Sequence, residues 1–159
     1  MEGRHFTTRK RLRLREFDYS QPYAYFLTIC CKDKRAIFVG EELNKAVCYT
    51  ISEEIDRLNF DLFTYCLMPN HLHLLLSPGL SNTPVSRYVQ GFKSKSTRMA
   101  WMHGISGIVW QRGCYDHIVR GSESLLEIAT YIVNNPVRKG LAGSIDDYPY
   151  SGINDNLIY

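Results

Sequence analysis

Residues 60–77 read FDLFTYCLMPNHLHLLLS, and two strand-like runs, 60–68 and 71–77, are split there by Pro69-Asn70. Two residues of turn chemistry between two apolar runs predict a tight antiparallel hairpin. In the second run the period of two sends Leu72, Leu74 and Leu76 to one face and His71 and His73 to the other. The leucines supply a core-facing surface, which leaves two imidazoles side by side on the opposite, open face of the sheet.

Working outward, residues 23–32 (YAYFLTICCK) are rich in aromatic and β-branched side chains and follow Pro22, the signature of a buried strand. Residues 41–58 carry apolar side chains at 43, 46, 47, 51, 55 and 58, close to helical spacing. Thr83-Pro84 is expected to cap and open a second helix whose apolar face is Val85, Tyr88, Val89 and Phe92. Residues 108–120 hold two short strand-like pieces around Gly113. Ser124-x-x-Glu127 has the form of a capping box opening a third helix that Pro136 must end.

The order is thus β-α-β-β-α-β-α. It predicts an α+β fold of the ferredoxin-like kind: a four-stranded antiparallel sheet with helices on one face, plus a C-terminal helix carrying Tyr131. The domain reading is a basic N-terminal arm over 1–22, one domain over 23–150 and a C-terminal tail over 151–159. At 159 residues, 45% hydrophobic and 22% charged, the chain suits one core and not two.

No apolar run nears the ~20 residues a membrane helix needs, and no signal-peptide pattern follows the basic start. Five cysteines (Cys30, Cys31, Cys48, Cys66, Cys114) without a CxxC spacing read as reduced thiols. A cytoplasmic, nucleoid-associated protein with no membrane partner is the expectation.

Charge is unevenly placed. The net +3 divides into +5 over residues 1–15, −4 over 16–86, +5 over 87–120 and −3 over 121–159. The two basic regions nominate Arg9, Lys10, Arg11 and Arg13 of the arm, and Lys93, Lys95, Arg98, Arg112 and Arg120 of the later region, as phosphate contacts. Tyr88, Trp101, Trp110 and Tyr115 are candidate rings for stacking unpaired bases, with at least half of them expected in the core.

A His-x-His pair alone more often decorates a solvated face than binds metal. The third helix strengthens the case: Tyr131 and Asn135 are spaced i, i+4 and Glu127 lies one turn earlier, so three polar side chains share a helical face beside a core-facing Ile128 and Ile132. A tyrosine so placed is a candidate nucleophile next to a metal.

At this point the residues resemble a known family. Tyr65-Cys-Leu-Met-Pro-Asn-His-Leu-His-Leu-Leu-Leu76 looks like the His-hydrophobic-His (HUH) signature of single-tyrosine transposases of the insertion-sequence 200-like type. Trp110-Gln-Arg-Gly-Cys-Tyr-Asp-His-Ile-Val-Arg120, with Tyr131-Ile-Val-Asn-Asn-Pro-Val-Arg-Lys-Gly140, is similar to the branch associated with repetitive extragenic palindromes. Together with Tyr25-Phe-Leu-Thr-Ile29 the resemblance covers about residues 10–150. It implies that His71 and His73 hold Mg²⁺ or Mn²⁺ with Asn135 as first candidate for a third ligand, a nitrogen-rich set for such ions. It implies further that Tyr131 attacks a scissile phosphate to give a 5′-phosphotyrosine, and that the substrate is single-stranded or hairpin DNA.

Where relatives have a second tyrosine this chain has Cys114, and Tyr115 is a rival nucleophile. Asp116 and His117 are candidates for aiding the metal or a phosphate, with a structural hydrogen-bonding role weighted more heavily. Two other activities stay open on the sequence: a domesticated or inactive relative that binds hairpin nucleic acid without cutting, and a hydrolase that would not need Tyr131. Monomer and homodimer both remain open.

Overall fold

The structure is a computed structural model and describes residues 17–121 and 123–157. Its elements are β1 (Ala24–Cys30), α1 (Glu41–Leu58), β2 (Asp61–Met68), β3 (His71–Ser77), α2 (Val85–Met102), β4 (Tyr115–Val119), α3 (Leu125–Val133), α4 (Asn135–Arg138) and β5 (Ser151–Ile153), with two single 3₁₀ turns between them and a third after β5. The strands form one antiparallel sheet in the order β4-β1-β3-β2-β5. The expected hairpin is present with its turn at Pro69-Asn70, and Met68 pairs with His71.

The sheet has five strands where four were expected. Residues 151–153, expected in a tail, pair with β2. Thr64 Oγ1 donates to the Gly152 carbonyl at 2.6 Å and Leu67 N–H to the Tyr150 carbonyl at 2.8 Å. These bonds satisfy the outer edge of β2, which would otherwise expose a row of unpaired backbone groups.

Two cores lie on the two faces. On one face Tyr25, Leu27, Ile29, Leu67, Leu72, Leu74 and Leu76 of the sheet pack against Leu43, Val47, Ile51 and Ile55 of α1 and Val85, Tyr88, Val89 and Phe92 of α2. On the other face Phe26, Cys66, Met68, Leu75 and Val119 meet Ile128, Ala129 and Ile132 of α3. The alternation of β3 thus decides the architecture: its leucines at 72, 74 and 76 require α1 and α2, and its histidine face lies under α3 rather than open to water. His73 is only 8% exposed.

Local chemistry explains the helix boundaries. Glu41 and Glu42 sit in the first turn of α1, where the helix dipole favours negative charge. Asn59 ends that helix in the left-handed conformation (φ 55°) that asparagine tolerates better than most residues. Ser124 Oγ accepts the Glu127 N–H at 3.2 Å, the forward half of the expected capping box. The expected Thr83 cap is not made: α2 begins at Val85 with Pro84 in the cap position, and the Thr83 hydroxyl donates to the Ser81 carbonyl instead.

Between α1 and α2 lies a charged tie. Glu54, fully buried, receives Arg57 at 2.8 Å and Lys95 at 3.0 Å, and Lys95 also reaches Glu53 at 3.1 Å. The hydrogen bonds from Arg57 hold the Glu54 carboxyl below its usual range. Gly91 makes room for that carboxylate, since a Cβ there would come within 2.7 Å of Glu54 Cδ.

Candidate active site

The site forms where β3, β1 and the α3–α4 junction meet. His71 opens β3 directly after the turn, and His73 follows on the same face; their ring centroids are 4.6 Å apart. Each Nδ1 has an oxygen partner: His71 Nδ1 meets Asn70 Oδ1 at 2.7 Å, and His73 Nδ1 meets Thr28 Oγ1 of β1 at 2.9 Å. With Nδ1 of His71 donating to the amide oxygen, its Nε2 carries the lone pair, and that nitrogen faces Asn135 Nδ2 at 3.1 Å. Asn135 is 3% exposed.

Asn135 is not on the same helix as Tyr131. Pro136 ends α3 as expected, so that α3 stops at Val133 and Asn135 starts the short α4. The break swings the Asn135 amide toward His71, and Arg138 joins the two segments. Its guanidinium donates to the Tyr131 carbonyl oxygen at 2.9 Å and to Asn135 Oδ1 at 3.3 Å, and its Cζ stands 3.9 Å from the Tyr131 ring centroid. Phe26 lies between Tyr131 and the imidazoles, with its ring 6.4 Å from Tyr131 and 5.4 Å from His73.

Electrostatics keep the imidazoles neutral. Burial, reinforced by Lys139, lowers His71 to about 4; burial, reinforced by His71 and Arg138, lowers His73 to about 3. Neutral imidazoles with engaged Nδ1 atoms are the form that ligates metals through Nε2. Half a turn of the Asn135 amide, which releases the Arg138 bond to Oδ1, would present Oδ1 where Nδ2 now faces His71. The donor set therefore fits a divalent ion through two nitrogens and one oxygen. Among the described residues no group of three or more His, Cys, Asp or Glu side chains offers an alternative metal cluster.

The other nominated residues divide. Tyr115 pairs across the sheet with Thr28, itself paired with His73, so the rival tyrosine shares the histidine face with β1 between them. Asp116 does not: the alternation of β4 sends it to the other face, where with Phe17, Asp18 and Leu27 it lines a cleft of about 230 Å³. It is thereby removed from any role at the imidazoles. His117 Nε2 binds Glu123 Oε2 at 2.7 Å, the structural role expected for it. Glu127 is exposed in the first turn of α3.

Lys95 is held by Glu53 and Glu54, and Lys93 donates to the Gln111 carbonyl at 2.8 Å and to that of Gly113, so both serve α2 packing rather than standing out toward a phosphate. Arg98, Arg112 and Arg120 are exposed. Arg9, Lys10, Arg11 and Arg13 lie outside the described residues. Of the four rings, Tyr88 and Trp110 are core (0% and 6% exposed), Trp101 is exposed and Tyr115 intermediate.

Thr28, Asn70 and Arg138 escaped the sequence reading. Thr28 left one signal, an aliphatic hydroxyl inside an apolar strand, and Arg138 another, a cation one turn past Asn135.

Comparison with known proteins gives a consistent picture. A family described as "Transposase IS200 like" matches residues 20–135. An uncharacterized protein of Haemophilus influenzae is 30% identical, over 81% of this chain and 88% of its own length. A REP-associated tyrosine transposase of Escherichia coli is 21% identical, over 84% and 78% respectively. Among solved structures, a REP-associated tyrosine transposase bound to a REP hairpin superposes with a TM-score of 0.72 at 20% identity, covering 89% of this chain and 82% of that one. No helix among the described residues is long and apolar enough to cross a membrane.

Proposed function

Since the chain belongs to the IS200-like transposase family, with REP-associated tyrosine transposases among its relatives, we propose that it cuts and rejoins single-stranded DNA beside hairpins through Tyr131. The observation that carries this reading is the contact of 3.1 Å between His71 Nε2 and Asn135 Nδ2, which brings a neutral imidazole pair to the helix junction that bears the tyrosine. A pure binding protein has no use for that arrangement.

In the proposed reaction the Tyr131 phenol loses its proton and its oxygen attacks the scissile phosphorus in line. The bond from phosphorus to the 3′ oxygen breaks, and that oxygen leaves as a 3′-hydroxyl after taking up a proton. The 5′ phosphate remains on Tyr131. One phosphodiester is exchanged for another, so a 3′-hydroxyl reverses the step and joins strands without a nucleotide cofactor. His71, His73 and Asn135 would hold Mg²⁺ or Mn²⁺, which when bound supplies Lewis-acid polarisation of the phosphate oxygens. Arg138 fixes Tyr131 and Asn135 relative to each other, and Thr28 and Asn70 orient the two imidazoles.

The test is a labelled hairpin-bearing single strand incubated with the protein and Mn²⁺, followed by denaturation. A covalent adduct present in Tyr115→Phe and absent in Tyr131→Phe is the expected result. An adduct that survives Tyr131→Phe overturns the assignment. Cleavage without an adduct indicates hydrolysis, and retention of DNA with neither indicates a binding protein.

A further inference from the structure

At the end of the sheet beside His71, two segments that the functional reading leaves unused come together. Cys30, the last residue of β1, is the cross-strand partner of His71. From there the chain is laced to the segment after α2: Gln111 N–H donates to the Cys30 carbonyl at 2.9 Å, Cys31 bridges to Trp110, and Lys32 N–H donates to the Val109 carbonyl at 2.8 Å. Cys31 N–H also donates to the carbonyl of Asn70, the residue before His71. Residues 30–32 and 109–111 are therefore backbone-bonded to each other and to the His71 turn, and the chain runs on from them into 33–35 on one side and back through 98–108 on the other, a rim to which Trp101 is tied at Gly107.

That rim is both cationic and apolar. Residues 32–35 and 98–112 contain five Lys or Arg (Lys32, Lys34, Arg35, Arg98, Arg112) and a single acid, Asp33. Within the same rim Trp101 is 54% exposed, Met102 76% and Ile108 65%. The two tryptophans contrast. Trp110 is buried with its N–H on Ser96 Oγ, whereas Trp101 turns its N–H to the Gly107 carbonyl at 2.9 Å. The Gly107 backbone has φ +77°, which glycine adopts without strain. The indole's one polar atom is thus satisfied and its orientation fixed, while more than half of its surface faces water. A hydrophobic core does not account for a fixed, exposed indole in a segment whose charged side chains are basic.

We propose that this rim binds the unpaired DNA strand flanking the hairpin, with a base stacked on Trp101 and phosphates on Arg35 and Arg98. Duplex bases are already stacked on each other and gain nothing from the indole; unpaired bases do. The cations add a salt-dependent hold on the backbone without choosing a sequence. The proposal rests on the DNA-processing reading above and places its single-stranded substrate.

Binding, not cleavage, tests it. Two fluorescently labelled hairpins, one blunt and one with unpaired extensions, are titrated without metal against Tyr131→Phe protein and the same protein carrying Trp101→Ala. The expected result is about a tenfold loss for the extended hairpin and no change for the blunt one. Trp101→Phe should recover part of the loss, and Arg35→Ala with Arg98→Ala should flatten the salt dependence for the extended hairpin. Equal affinity of the parent and Trp101→Ala for the extended hairpin overturns the proposal, as does an equal loss on both hairpins. If Trp101→Ala instead abolishes self-association in sedimentation, the rim is a protein interface and the proposal falls. None of these outcomes depends on an adduct at Tyr131, so the rim and the nucleophile assignment stand or fall separately.

Discussion

The guanidinium of Arg138 covers the Tyr131 ring at 3.9 Å while its two terminal nitrogens hold the Tyr131 carbonyl and Asn135 Oδ1. One side chain thereby ties the proposed nucleophile to the segment that carries the proposed third ligand. Arg138→Ala removes a cation-π contact and two charged hydrogen bonds, together about 1–2 kcal/mol of positioning. Single-turnover adduct formation should slow about tenfold, with hairpin affinity little changed. Arg138→Lys should lie nearer to alanine than to arginine, because an ammonium cannot span both acceptors. An unchanged single-turnover rate in Arg138→Ala would remove Arg138 from the site.

The buried imidazoles make a claim about stability in the metal-free protein. Folded, His71 and His73 titrate near 4 and 3; unfolded, both return to 6.5. As pH falls below 6.5 the unfolded chain takes up protons that the folded chain refuses, so this stabilisation is full above 6.5 and drains toward pH 4 and below. At pH 5 the loss is roughly 2 kcal/mol for each histidine. Urea midpoints measured from pH 7 to pH 5 should fall for the native chain and fall much less for a His71→Gln, His73→Gln variant. Parallel curves would show that the imidazoles are protonated in the folded protein.

How much of this was legible in the sequence depends on what each residue's partner is. The hairpin and α1 could be read because period-2 and period-3.6 patterns are local, and α1 occupies the predicted Glu41–Leu58. The same local period put His71 and His73 on one face, whereas the association of that face with Tyr131, nearly 60 residues on, came from the family resemblance, which also supplied the expected roles. Thr28 lies 45 residues from His73, and nothing local to either announces their bond. The charge of Lys95 was visible, but its partners Glu53 and Glu54 sit a helix away, so a packing cation looked like a surface one. Strand β5 is three residues long and held by its pairing with β2, too short for any periodicity.

Gly91 offers a test of the α1–α2 tie in which the sign differs from ordinary helix behaviour. On an exposed helix face Gly→Ala stabilises by up to about 1 kcal/mol. Here the new methyl would run into the Glu54 carboxylate and displace it from Arg57 and Lys95. Gly91→Ala should therefore destabilise by about 2–4 kcal/mol, through overpacking and a disturbed buried charge. Adding Glu54→Ala should cost less in the Gly91→Ala background than in the native one. Thermal unfolding of the four proteins gives that coupling, and additive effects would mean that the carboxylate moves aside at no cost.

Thr28→Val tests the orientation of the imidazoles with little change of volume. The substitution removes only the oxygen that His73 Nδ1 meets at 2.9 Å, and leaves β1 a residue well suited to a strand. If His73 ligates through Nε2, the lost partner frees its ring and its choice of tautomer, which costs about 10- to 100-fold in metal affinity. Mn²⁺ titrations followed by calorimetry should show that loss, and saturating Mn²⁺ should restore most of the rate of adduct formation. A general structural defect would not respond to added metal. Unchanged Mn²⁺ affinity in Thr28→Val, with the fold intact by circular dichroism, would mean that His73 is a buried core histidine and that His71 and Asn135 bind the ion, if any, without it.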